Sequence, residues 1–353
     1  MATLQNRLIA PGLLLLGAAL LSASCESSSA ATSLQAPQPA PAILHTAAAA
    51  LKSPPPAVEG GDEGEHAAAE SAPAGGNNAP CAQAPEGMSC VPAGWFIRGA
   101  DEDDHNCNQA SQPARGNVGT TPAQRVWLDS YYVDQTEVTN AAYKACVRAG
   151  KCAQDGPRYT DFSANQQPIT GVSWDNANAF CLAQGKHLIT EAEFEKATRG
   201  PDGERFSWGN EDATCERAIL MDASGRACGV NKRGNHPQNG RVWEVASRPA
   251  GRYGLFDMTG NAEEWVFDFW SPSWAECGDA CAGPNPKGPC DGVAPCAGHR
   301  VRVVRGGSWY WPKEHATGYH RRAYRPSNEP PHHFGFRCAA SLDEAARLTS
   351  GGE

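Results

Sequence analysis

The chain has 353 residues, a formal charge of −9 and a hydrophobic fraction of 41%. That length carries one large domain with extensions, or two modest ones, and the apolar fraction supports a buried core. The acidic balance argues against a nucleic-acid partner, because binding phosphates needs a basic face. Gly at 37 and Pro at 27 predict turns and irregular loops more than long helices.

At the N-terminus, Arg7 precedes a short apolar run, Leu8 to Leu21, followed by Ser22-Ala23-Ser24-Cys25. The run is too short to span a bilayer and has the anatomy of a secretory signal over residues 1–24. Small residues ending in Cys25 also read as a bacterial lipoprotein signal. Cys25 is then lipidated after cleavage and anchors the chain to the membrane of the cell envelope. Ordinary cleavage before Cys25 and secretion is the alternative, since Ser22 and Ser24 fit the small-x-small rule. Export favours disulfides, which is how the 14 cysteines are read here. With Cys25 set aside the count is odd, so one cysteine is left free or intermolecular.

Residues 25–80 are rich in Ala, Pro, Ser, Gly and Glu. Such a stretch buries too little surface to offset its ordering entropy and reads as a flexible tether. Aromatic residues begin at Trp95 and recur to Phe336, which places one globular unit at 81–345. A tail, 346–353, follows, and the chain reads as frayed from Leu342 onward.

Within the unit, Thr139 caps a predicted helix that runs through Tyr143 to Val147 and stops at Gly150. Ser173 caps a second, Trp174 to Gln184, in which Trp174, Ala177 and Cys181 share a face. Thr190 and Glu193 form a capping box for a third, ended by Gly200. Strands are expected at Gly94–Arg98, Val126–Val133, Val301–Val304 and Phe334–Cys338, the last with Phe334, Phe336 and Cys338 on one face. The pattern is an irregular α+β domain. Cys146 with Cys152, and Cys215 with Cys228, read as local staples. Cys277, Cys281, Cys290 and Cys296 share one Gly/Pro-rich insertion, where two bridges of unread connectivity or a zinc site would fit.

Seven blocks stand out in order. They are Gly94–Gly99, "VWLDSYYVDQTEVTNAAYKACV" from Val126, "PITGVSWDNANAFCLAQGKHLITEAEFEKATRG" from Pro168, "FSWGN" from Phe206, "YGLFDMTGNAEEWVFDFW" from Tyr253, "VVRGGSW" from Val303 and "FGFRCA" from Phe334. Their text and order resemble the formylglycine-generating-enzyme (sulfatase-modifying factor) domain family over nearly all of 88–342. The resemblance implies that family's fold, a C-type-lectin-like variant of low regular content. It also implies a disulfide between Cys181 and Cys338. Closing a loop of more than 150 residues would stabilise the fold by about 4–5 kcal/mol in the chain-entropy model; two buried free thiols are the alternative.

Enzymes of this family oxidise a substrate cysteine with oxygen and hold copper on two cysteines after the "GGS" block, as suits Cu(I) and thiolates. Here those positions fall on Trp311 and near Ala316, and no cysteine lies between Cys296 and Cys338. The departure predicts no copper and a non-oxidase binding or assembly module, with a protein or glycan as ligand. The alternative is the family's oxidase, or a variant with iron on His315, His320, His332 and His333. These histidines match no metal-ligand spacing and read as solvated loop residues. Arg305, Arg322, Arg325 and Arg337 form a basic set, Arg337 with a structural ion pair. Ser308, Trp309, Trp311, Arg322 and Arg325 are the candidate groove, with core packing the alternative for Trp309. The resemblance also implies a calcium site from the carboxylates of Asp257 and Glu264 and the carbonyls of Gly260 and Ala262, a hard-oxygen set suited to Ca²⁺.

Overall fold

Helices begin in this chain where a side-chain oxygen can accept the first orphan N–H groups. In α1 (Asn140–Arg148) Thr139 Oγ1 accepts from Ala142 N, and in α2 (Trp174–Ala183) Ser173 Oγ accepts from Asn176 N. In α3 (Glu191–Arg199) the capping box closes both ways, Thr190 N to Glu193 Oε2 at 2.9 Å and Glu193 N to Thr190 Oγ1 at 3.2 Å. Gly200, at φ 68°, takes the left-handed turn that ends α3. The computed structural model describes residues 71–101, 119–230, 240–326 and 329–350. Cys25 and Cys107 lie outside them, as do the expected signal and most of the expected tether.

Among the described residues, ten short strands form three sheets. The first has the order β1 (Met88–Val91), β4 (Tyr131–Asp134), β10 (Cys338–Ser341), β5 (His187–Leu188). β2 (Gly94–Arg98) pairs with β3 (Gln124–Leu128). In the third, β6 (Glu263–Phe269) lies between β7 (Arg302–Arg305), antiparallel, and β9 (Phe334–Phe336), parallel, with β8 (Arg322–Tyr324) outside β7. The strand expected over Val126–Val133 is broken, because Asp129 and Ser130 turn their side chains to other backbone. Asp129 Oδ1 accepts from Asn77 N, and Ser130 Oγ donates to Ala79 O. The strand expected over Phe334–Cys338 is divided between two sheets, with Arg337 at the crossing.

Two other expectations change. Residues 77–79, expected in the tether, are hydrogen-bonded to the domain. The frayed tail is a helix, α5 (Leu342–Ser350), behind a short α4 (Trp274–Cys277). Ala345 is buried against Met88, Tyr132 and Ala340, and Leu342 and Leu348 pack beside it.

One core joins the faces of β2, β3, β4 and α3 around Phe96, Val126, Phe194 and Val303. A second joins α1 and α2 to β6 and β9 around Tyr143, Phe180, Trp265 and Phe336. Trp174, Ala177 and Cys181 share that second core, as do Phe334, Phe336 and Cys338. Six disulfides pin the loops. Cys181–Cys338, Cys146–Cys152 and Cys215–Cys228 are those expected, and the insertion holds Cys277–Cys281 and Cys290–Cys296 in place of zinc. Cys81–Cys90 is additional.

At the edge of β5, His187 Nδ1 meets Glu344 of α5 at 2.7 Å and Nε2 meets Glu193 at 3.1 Å. Burial opposes a charge there, but the two carboxylates outweigh it and raise His187 from 6.5 to about 10. A folded value above the unfolded one gives stability that is complete below 6.5 and is lost as pH rises toward 10. Lys196, depressed to about 8 by burial, acts in the opposite sense over much of the same range. The difference in urea midpoint between wild type and His187→Gln therefore isolates the histidine; it is expected to be largest near pH 6 and to shrink toward pH 10.

Candidate functional site

The segment after β7 turns through Gly306 and Gly307 at positive φ. A Cβ on Gly307 would lie 2.6 Å from His315 O and 2.7 Å from Ala316 Cα, so glycine is what lets the 315–316 loop come down on this turn. The strip beyond is held by backbone bonds. Trp309 N donates to Asn261 O, Ala227 N to Trp309 O and Met221 N to Trp311 O.

The groove expectation is corrected in part. Ser308 and Trp309 are fully buried, and the Trp309 ring packs on Phe162 and His332, both at 5.6 Å. Arg305 belongs to the interior: it is fully buried, with Nη2 2.6 Å from Glu195 and on Gly318 O. Arg337 has its expected ion pair, with Glu264. Trp311 and Arg322 are half-buried and Arg325 is exposed. Arg322 Nη1 lies 3.0 Å from Glu263 Oε2, and its guanidinium sits over the Trp311 ring at 5.2 Å.

The histidines are not solvated as expected. His315, His320 and His333 are buried and His332 half-buried. Trp311 stacks on His315 and Tyr310 on His333, each at 5.0 Å, while Arg226 covers the Tyr310 ring at 3.7 Å. The sequence shows the histidines but not their burial, which comes from tertiary ring contacts, for His333 with a segment more than 20 residues away. Among the described residues no group of three His, Cys, Asp or Glu is arranged to hold a metal. Beside the cluster a cleft of about 220 Å³ is lined by Arg158, Tyr159, Tyr324, Pro330, Pro331 and His332, among others.

Copper does not fit here. The resemblance puts its family positions on Trp311 and near Ala316, where no cysteine stands, and all 12 described cysteines are consumed in disulfides. A soft ion that prefers thiolate has no donor among them. The expected calcium residues lie elsewhere, on the loop into β6. Asp257 Oδ2 accepts from Ala246 N at 2.7 Å, and Glu264 is bound by Arg337 through both oxygens. Glu137, which the sequence reading did not select, is buried beside Asp257. Its Oε2 has no hydrogen-bond partner. Two carboxylates with neighbouring backbone carbonyls are hard oxygen donors, the type that Ca²⁺ takes.

A lectin-like scaffold stapled by disulfides, with aromatic and guanidinium groups where thiolates would stand, defines the class of this protein. Residues 75–342 match the sulfatase-modifying factor enzyme 1-like domain, and the chain belongs to that family. It is 29% identical over 302 residues to the formylglycine-generating enzyme of Thermomonospora curvata, covering 72% of this chain and 93% of that one. It is 25% identical over 305 residues to the inactive C-alpha-formylglycine-generating enzyme 2 of Mus musculus, covering 72% and 85%. Among solved structures it is similar in fold to PvdO from Pseudomonas aeruginosa, with a TM-score of 0.54 and 23% identity, over 71% of this chain and 93% of that one.

Trp309 and Trp311 separate interior from surface. Trp309→Ala is expected to cost about 3–5 kcal/mol in urea unfolding. Trp311→Ala, which removes a half-exposed ring and one stacked guanidinium, is expected to cost about 1 kcal/mol or less.

Proposed function

We propose that this chain is an exported, membrane-tethered member of the family that works as a binding or assembly module and has left the family's cysteine oxidation behind. The observation that carries this reading is the absence of cysteine where the family's copper positions fall, on Trp311 and near Ala316, with every described cysteine locked in a disulfide. Six disulfides suit an oxidising compartment, which supports export. Lipidation at Cys25 and the polar stretch that follows supply the anchor and the tether. Calcium, held by Asp257, Glu264 and the carbonyls of Gly260 and Ala262, is the resident ion of this reading.

The binding surface is the exposed side of the aromatic cluster: Trp311, Arg322, Tyr324 and Arg325, with the adjoining cleft. Aromatic faces, two prolines and an arginine suit an extended protein segment. A glycan is the other ligand such rings accept, and binding to a peptide array and to a glycan array separates the two.

The decisive experiment incubates the purified chain with oxygen, copper and a cysteine-containing peptide, and follows formylglycine by mass spectrometry. No turnover and no stoichiometric copper are expected. Turnover would restore the oxidase reading, and stoichiometric iron in the purified protein would favour the histidine variant.

A further inference from the structure

A strand paired on one side turns its remaining N–H and C=O groups outward, and a fold either covers them or leaves them to another chain. Loops cover three such edges here. At β2, Ile97 N donates to Pro201 O, and at β3, Asn285 N donates to Trp127 O. At β9, Gly171 N donates to Phe334 O and Val138 N to Phe336 O. The opposite edge of the β9 sheet is β8, and it is left open. β8 pairs with β7 in the register Tyr324 to Arg302, Ala323 to Val303 and Arg322 to Val304. No second strand adjoins it, and among the described residues no loop or side chain bonds to the backbone of 322–325.

This edge lies on the face read above as the binding surface. Arg322 and Tyr324, two residues apart, share one side of the sheet, and both lie against Phe334, at 5.7 and 4.9 Å. Arg322 also covers Trp311, and Tyr324 lines the cleft with Tyr159, Pro331 and His332. Alternate side chains of a strand laid along β8 would therefore face the tryptophan and the cleft, while its backbone met the open edge. The charge of the edge selects the occupant. Arg322 commits Nη1 to Glu263, and Arg158 beside the cleft is paired with Glu329. Arg325, exposed at the end of β8, has no ion pair among the described residues, in a chain whose formal charge is −9. A carboxylate suits that position. A second copy does not, because antiparallel pairing of β8 with itself would set arginines beside arginines.

We propose that β8 takes an extended segment of a partner protein as a further strand of its sheet, with a carboxylate of that segment at Arg325. This rests on the binding reading above and names its mode. The probes are decapeptides of alternating valine and threonine carrying one glutamate, glutamine or lysine, together with a peptide of residues 59–70 of this chain, which is itself acidic. Each is titrated into the full chain. Glutamate peptides are expected to bind, and glutamine in the peptide or Arg325→Gln in the protein to weaken them by about three- to tenfold. N-methylation of alternate peptide amides is expected to cost about ten- to a hundredfold, with little loss at the amides between, and hydrogen exchange at 322–325 is expected to slow. Binding that is indifferent to N-methylation and leaves that exchange unchanged would overturn strand addition and keep the binding module. Preference for glutamine or lysine peptides would overturn the acidic partner, and preference for the 59–70 peptide would put the chain's own leading segment in its place. A chain that binds none of the peptides but holds glycans would overturn the proposal alone. One that binds neither would overturn the binding reading with it.

Discussion

Buried carbonyl groups, most of them outside helix and sheet, are the constraint this fold has to meet. An apolar interior cannot leave such groups unpaired, since each would cost about 1–3 kcal/mol. The chain meets them with buried cations. Lys196 donates to Pro92 O and Gly94 O, and Arg199 to Gly99 O, Gly203 O and Glu204 O. Arg305 reaches Gly318 O and His320 O, and Arg302 reaches Phe267 O and Gly292 O. Long side chains rooted in regular elements thus do for the loops what neighbouring strands do in an ordinary sheet. The charges of Arg199 and Arg305 are met by Glu191 and Glu195 on α3, which explains why a nine-residue helix carries acids and bases that are almost fully buried.

What was legible in the sequence was local. Caps at Thr139, Ser173 and Thr190 need only residues within a turn, and glycine stops need only their own φ. The Cys181–Cys338 bridge came through family resemblance, because nothing local links residues 157 apart. The strand β6 escaped notice for the reason that makes it central. Its Glu263, Glu264 and Asp268 look like surface residues, yet they are met by Arg322, Arg337 and the N–H of Glu191 from remote segments. The histidines misled in a related way: His333 stacks on Tyr310 from a remote segment, while His315 is covered by Trp311 only because the loop folds back four residues on.

The site keeps the family's glycine turn without a cysteine in the strip that follows it. The Gly306–Gly307 turn and the strip after it are kept, and the loop at 315–316 still descends on them. Where a soft ion would need sulfur, the chain stacks tryptophan on histidine and tyrosine between histidine and arginine. Such packing is rigid, sheds little charge into the interior and presents one ring edge and two guanidinium groups outward. Rigid flat surfaces of that kind lose little entropy on contact with a partner.

The two ends of the folded unit meet in one place. Cys81, Cys90 and Met88 share an apolar cluster with Ala340, Ala345 and Leu348, and β1 and β10 flank the same strand, β4. Both ends of the folded unit are thus closed on this sheet, where Cys81–Cys90 and the α5 packing brace it. The β6–β7 ladder that supports the tryptophan strip belongs to another sheet. Loosening of either end of the folded unit therefore falls first on a sheet other than the one behind the tryptophans.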